Sequence, residues 1–513
     1  MLLCLAHENT SVHKMSLRAE AVSGIKWTTI SQVGQQVMQF ATSIILARLL
    51  LPSDFGLMAM AFVVISFVSL FRDLGTSAAI IQHKEPPEIL LSTLFWINSL
   101  IGLIGMVTLF LTAPLVANFY REPRASSLLE ALSVTFFVSG LSALPRAILE
   151  RNLAFERLAA VETSAALVGS LVGIASALIG AGVWSLALKA TSDAIVSTGM
   201  LWIFSRYRPH LCFQWRELKA VGAYSLNLTG FTITNYFARN ADSILIGRLL
   251  GAESLGFYTL AYRTMLYPLQ NISHVIARVM FPVYSRMHRE NISLRESYLT
   301  VPGVIAFFSF PLMLGLMGLS RPFISTVFGQ KWEPVVLLVI ILAPVGMFQS
   351  VATTVGSIYQ SKGRTDWMFR WGLGAAFVTV IATLVGINGG IIGVALAYAF
   401  AMVLLAYPCF AIPFRLINLK VRQLVTSLFR PLMCALFMLG ILGMLRMALP
   451  HNLSPASVLV ISVPVGGTCY LVISWLINRP IMEEILGMMG MNGAPILEKK
   501  VNAGKPLANE GSN

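Results

Sequence analysis

The chain has 513 residues, of which 56% are hydrophobic and only 12% charged, with a mean hydropathy of +0.75. Soluble domains carry about 25% charged residues, so this composition excludes an ordinary soluble fold. The net charge of +14 is spread over short connecting loops, not gathered in one basic domain, which argues against a nucleic-acid partner.

The N-terminus does not read as a secretory signal, because apolar Met1–Leu5 is too short and polar residues follow it. Met15 reads as an alternative start. From Trp27 to Asn478, apolar runs of about 20 residues recur, each long enough to cross about 30 Å of hydrocarbon as a helix. The runs are continuous, not alternating, which disfavours membrane strands. The predicted spans are 28–48, 55–75, 91–117, 127–147, 158–180, 182–205, 221–247, 255–280, 300–320, 333–357, 368–387, 390–414, 426–448 and 456–477. The expected fold is therefore an all-α polytopic membrane protein of about fourteen spans. Gly180-Ala181-Gly182 and Asn388-Gly389-Gly390 mark two tight hairpins. No loop leaves room for a folded extramembrane domain, and the polar end of the tail reads as disordered.

Loops following even-numbered spans carry 17 Lys and Arg residues, whereas those following odd-numbered spans carry 7. The positive-inside rule then places both termini in the cytoplasm. Five cysteines (Cys4, Cys212, Cys409, Cys434 and Cys469) form no C-x-x-C and no Cys/His ligand spacing, so neither a zinc site nor any other cofactor is implied.

An internal repeat is visible at an offset of 200 residues. Ser43–Ala61 and Ser243–Ala261 align without gaps and share 7 of 19 positions, among them Arg48/Arg248, Leu49/Leu249 and Gly56/Gly256. Six spans separate the copies, an even number, so the halves are expected to be parallel repeats about an axis along the membrane normal, with a site between them. The organisation expected is a cytoplasmic segment 1–26, a six-helix lobe 27–205, a basic linker 206–219 and a second lobe 220–416. Two additional helices, 417–478, and a cytoplasmic tail, 479–513, follow.

Charges inside the spans are the functional signal, since each costs roughly 2.5–3.5 kcal/mol at mid-membrane unless it is paired or wet. Arg239 and Asp242 share a helix face, and their counterparts in the first copy, Gln39 and Thr42, are uncharged. Arg263 and Arg278 lie in span 8 with Tyr258, Tyr262 and Tyr267, while Lys189 and Asp193 are spaced i,i+4 in span 6. Glu162 lies in span 5, and Arg72-Asp73 near the cytoplasmic end of span 2. Each also has a structural reading: ion pairs that neutralise themselves, end charges that snorkel, and caps at Arg48 and Arg248.

The segment Ile45-Leu-Ala-Arg-Leu-Leu-Leu-Pro-Ser-Asp-Phe-Gly56, the segment Phe71-Arg-Asp-Leu-Gly-Thr-Ser-Ala-Ala-Ile-Ile-Gln82, and Asn240-Ala-Asp-Ser-Ile-Leu-Ile-Gly-Arg248 resemble Wzx-type polysaccharide flippases. These belong to the multidrug/oligosaccharidyl-lipid/polysaccharide exporter superfamily, and the similarity is strongest to the colanic-acid-like exopolysaccharide branch. It covers roughly residues 20–480. The resemblance implies a bacterial inner-membrane protein with two six-helix lobes and two extra helices. It also implies translocation of undecaprenyl-diphosphate-linked oligosaccharide for exopolysaccharide or lipopolysaccharide synthesis, by alternating access, beside a polysaccharide polymerase and a chain-length regulator.

An anionic diphosphate needs cations in a wet lumen, and Arg binds phosphate well through its planar fork. Arg239, Arg263, Arg278 and Lys189 are the expected headgroup ligands, with Tyr262 for sugar rings. Asp242 is the expected ion-coupling carboxylate, as in an antiporter. Arg72, Asp73, Arg48 and Arg248 are expected to gate or to stabilise. The chain has no G-x-x-x-x-G-K-[ST], so a gradient is the expected energy source. Rival readings are a drug or cation exporter, a polymerase or ligase, and a non-transporting scaffold. Short outward loops without an acid–base or nucleophile constellation argue against an enzyme.

Overall fold

The structure is a computed structural model, in which residues 32, 34–71, 87–212, 236–237, 239–267, 298–450 and 452–488 are described. Among these the chain is helical throughout, with no strand. The longer helical segments among the described residues are α1 (34–49), α2 (Pro52–Ser69), α3 (Glu88–Tyr120), α4 (Arg124–Arg151), α5 (Phe155–Leu178), α6 (Trp184–Ser205), α7 (239–250) and α8 (252–267). They continue as α9 (Thr300–Gly318), α10 (Pro334–Ala352), α11 (Thr365–Gly386), α12 (Gly390–Phe414), α13 (Val421–Ala448) and α14 (Pro455–Ile477). Each predicted span contains a helical segment where it is described, 28–48, 55–75, 221–247 and 255–280 lying partly outside the described residues. Among the described residues ten helical runs are long and apolar enough to cross a membrane. One of those runs, Thr365–Ile417, contains both α11 and α12. This is a multi-pass, all-α membrane protein.

The run Arg239–Tyr267 is unbroken in hydrogen bonding, yet Gly251 within it has φ +86°. An α-helix needs φ near −63°, so α7 ends and α8 begins at this glycine, as the repeat predicts. The tail begins with a helix, Arg479–Met488, in which Arg479 Nε lies 2.9 Å from Glu483 Oε1.

Two compact units divide the chain, residues 1–256 and 257–513. In the first, α3 shows how the sequence sorts its faces. Leu100, Ile104, Phe110, Leu111 and Leu115 are exposed, whereas Asn98, Gly102, Gly105, Ala113 and Ala117 are buried. The outward face is almost wholly large and apolar, whereas the inward face mixes small residues with Leu94, Phe95 and Leu109, because lipid solvates leucine as well as a core does and close packing is what holds the helices. A Cβ added to Gly102 would stand 3.1 Å from Gly140 Cα, so α3 and α4 meet backbone to backbone.

The second unit is stitched by buried hydroxyls. Ser309 and Ser350 are 2.8 Å apart across α9 and α10, Tyr298 and Thr354 hydroxyls are 2.6 Å apart, and Tyr470 donates to the Phe307 carbonyl at 2.7 Å. Trp332, Tyr359 and Phe414 lie fully buried here. On α12 the same outward sorting recurs, with Phe400, Val403, Leu404 and Tyr407 exposed.

Candidate functional site

The 200-residue repeat becomes a reciprocal contact. A Cβ added to Gly56 would lie 1.7 Å from the Ala252 carbonyl oxygen, and one added to Gly256 would lie 1.9 Å from that of Pro52. Residues 52 and 56 pair with 256 and 252, each 200 positions from its counterpart. A two-fold relation produces this pattern, in which i meets j′ and j meets i′. Gly56 and Gly256, shared by the two copies, are therefore where the first turns of α2 and α8 cross.

The start of α7 carries Arg239 and Asp242. Arg239 is exposed, and the carboxylate of Asp242 accepts a hydrogen bond from the Ser243 N–H at 2.7 Å. Counting along the helix from Gly251, Asp242 and Arg239 lie roughly 14 and 18 Å in. At the other end of α7, the Arg248 guanidinium lies 5.6 Å from the Phe119 ring centroid, a cation–π contact. Arg248 Nη1 is buried with no hydrogen-bond partner among the described residues. Arg48, its counterpart, is exposed.

Glu162 is more than a solvated end charge. It forms a short ion pair with Arg146 and accepts from Gln35 Nε2 at 3.3 Å, while Arg146 also reaches Glu150 at 3.0 Å. One Arg between two carboxylates ties α4 to α5, and Gln35 adds α1. From the sequence Arg146 reads only as a loop charge; its i,i+4 spacing from Glu150 is the one visible signal.

Lys189 and Asp193 form the ion pair that their spacing predicts, at 2.9 Å on α6. The neighbouring α5 presents Gly169 and Gly173 to them: a Cβ at Gly169 would lie 1.7 Å from Asp193 Oδ1, and one at Gly173 2.9 Å from Lys189 Cβ. This G-x-x-x-G seam lets α5 and α6 close over the pair.

On α8, protein covers nearly every side chain. From Ser254 to Tyr267, Arg263 is the single exposed one. Thr259, Leu260, Leu266 and Tyr267, one turn to either side of it, are buried or half-buried. Lipid-facing helices in this chain show continuous exposed stripes instead, so Arg263 is a lone exposed cation on a face that protein otherwise covers. Beside it, Tyr258 stacks on Tyr262 with ring centroids 6.0 Å apart at 14°. Tyr262 meets Tyr398 edge-on at 6.3 Å, and Gln349 Nε2 donates to the Tyr398 hydroxyl at 2.8 Å. The sequence marks Arg263, Tyr258 and Tyr262. Gln349 and Tyr398 escape it, because nothing in their spacing links them to α8. Arg72, Asp73 and Arg278 lie outside the described residues.

Residues 45–337 match a family described as "Polysaccharide biosynthesis protein". The lipopolysaccharide biosynthesis protein WzxC of Escherichia coli (strain K12) is 29% identical over 481 residues, covering 92% of this chain and 96% of the relative. The succinoglycan biosynthesis transport protein ExoT of Rhizobium meliloti (strain 1021) is 26% identical over 469 residues, covering 90% of this chain and 94% of the relative. Among solved structures, the lipid II flippase MurJ in an inward closed conformation superposes with a TM-score of 0.72 at 16% identity, over 89% of this chain and 99% of that one. The likeness to MurJ is one of fold. The family match spans more than half of the chain, from the first copy of the repeat through α8 and into α10, and on it the protein belongs to the polysaccharide biosynthesis protein family.

Proposed function

We propose that this protein flips undecaprenyl-diphosphate-linked oligosaccharide repeat units across the bacterial cytoplasmic membrane, feeding exopolysaccharide or lipopolysaccharide synthesis. The observation that carries the reading is Arg263, exposed on an otherwise covered membrane helix beside a half-buried tyrosine. A cation exposed on a bilayer-spanning segment is costly unless its surroundings are wet or an anion visits it. A diphosphate headgroup is such an anion, and guanidinium matches its oxygens with two parallel hydrogen bonds. Tyr262 supplies an aromatic face and hydroxyl for sugar, and the polyprenyl tail stays in lipid. Arg239, Lys189 and Arg278 are further headgroup ligands in this reading. Asp242 is the coupling carboxylate of a gradient-driven cycle, and Arg72, Asp73, Arg48 and Arg248 gate or brace the path.

The names of WzxC and ExoT, relatives that this chain matches over nearly their whole length, support the reading. Both termini lie in the cytoplasm in this account, and the periplasmic polymerase and chain-length regulator take the product. Arg263→Gln, expressed in a strain lacking the chromosomal copy, is expected to lower polymer export at least about tenfold, with Arg263→Lys between it and wild type. Full export by Arg263→Gln at normal membrane abundance would remove Arg263 from the path.

A further inference from the structure

The Lys189–Asp193 pair has an unbalanced feature. Asp193 Oδ2 receives the Lys189 ammonium at 2.9 Å, but Asp193 Oδ1 is buried with no hydrogen-bond partner among the described residues. A carboxylate oxygen without a donor is an expensive thing to bury. It is also held by design: Gly169 leaves just the room Oδ1 occupies. Asp193 lies nine residues into α6, roughly 14 Å along its axis and so well away from either end of the 22-residue helix.

The pair does not face lipid. Taking 100° per residue, the exposed apolar residues flanking it, Trp184, Leu188 and Ile195, fall together, and Lys189 and Asp193 sit roughly 100–180° round the helix from them. The two side chains are nevertheless 22% and 31% exposed, so the pair is within reach of water and of a ligand. Lys189 is the charged group acting on Asp193. Glu162, almost two turns away on α5, is engaged by Arg146 and Gln35, and α5 turns Gly169 and Gly173 toward the pair.

We propose that Asp193 keeps the Lys189 ammonium in reserve and that the two exchange partners: when a diphosphate headgroup takes Lys189, Asp193 takes up a proton. The inference rests on the headgroup reading given above and adds its coupling to protons in the first unit. No bond of the substrate breaks in the exchange; one O–H bond forms at the Asp193 carboxylate as a hydronium ion gives up its proton, which offsets one charge of the incoming anion. The ammonium leaves Asp193 Oδ2 for a phosphate oxygen, and a proton from water neutralises the carboxylate that its counter-ion has left. Anion binding and protonation at this site are then linked, each strengthening the other.

Calorimetry on the full-length protein tests this, with farnesyl diphosphate as the probe and titrations in two buffers of different ionisation enthalpy. Wild type is expected to take up about one proton more per bound ligand than Asp193→Asn. Lys189→Met is expected to bind about tenfold more weakly, and Asp193→Glu to restore the uptake. Equal proton uptake by wild type and Asp193→Asn, with binding intact, overturns the inference and leaves the headgroup reading standing. Absence of farnesyl diphosphate binding by wild type removes that reading, and this inference with it. Should Asp193→Asn fail to fold, infrared difference spectra decide. Ligand added to wild type should bring in a protonated-carboxyl band that Asp193→Glu shifts, and a spectrum without that band overturns the proposal.

Discussion

At the scale of single residues, the intramembrane charges divide by where their partners come from. Lys189 and Asp193 are readable from sequence because both lie on one helix, and i,i+4 spacing alone brings them together. Glu162 and Arg146 are 16 positions apart on different helices, and Gln35 is 127 positions from Glu162. No periodicity announces such a meeting, so Arg146 counts in the sequence as one more topology charge. The same limit hides Gln349 and Tyr398 from the Tyr262 cluster. Because Arg146 and Glu162 are between a third and a half exposed, their pairing should be modest. A double-mutant cycle on thermal unfolding in detergent, with Arg146→Ala and Glu162→Ala, is expected to give a coupling of about 0.5–1 kcal/mol. Additive single variants would mean that the pair contributes nothing.

Helices are legible in the sequence as segments, whereas their contacts are not. A continuous apolar run fixes the existence of a span, because hydrocarbon forces every backbone N–H and C=O into an intrahelical bond. Which face turns inward depends on small residues, and Gly102, Gly140, Gly169 and Gly173 give that away only once their partners are known. Gly251 is the exception, since its place in the repeat marks the α7–α8 turn in advance. It has φ +86°, and a methyl group at its Cα would meet nothing within 4 Å, so Gly251→Ala should act through backbone strain alone. The expected loss is about 1–2 kcal/mol, with Gly251→Asn losing less, read as the shift in melting temperature. An unchanged melting temperature for both would show that the turn relaxes freely. By contrast, Gly56→Leu and Gly256→Leu push against carbonyl oxygens of the facing helix. Each is expected to reduce folded protein in membranes severely and to a similar extent, as measured by size-exclusion of a fluorescent fusion. Loss in one variant alone would break the reciprocity between the copies.

At the scale of the whole molecule, the repeat is the feature that sequence and structure share most directly. A run of 19 residues, recurring 200 positions later, places Pro52 on Gly256 and Ala252 on Gly56. The charge asymmetry of the halves is legible as well: Gln39 and Thr42 stand where the second copy has Arg239 and Asp242. The proposed orientation, with both termini in the cytoplasm, rests on the 17-to-7 bias of loop cations. A fluorescent protein fused after residue 478 should therefore fluoresce, and alkaline phosphatase fused at the same point should be inactive. The opposite pair of results would invert the assigned topology.

The central claim, that a lipid-linked oligosaccharide crosses the membrane through this protein, is tested most directly in a strain that lacks it. Undecaprenyl-diphosphate glycans would be extracted and identified by mass spectrometry, and their exposure probed from the periplasmic face of intact cells. The account predicts that complete single repeat units accumulate, confined to the cytoplasmic leaflet, while polymer is lost. Single units exposed on the periplasmic face, or a lipid-linked pool identical to that of wild type, would contradict it.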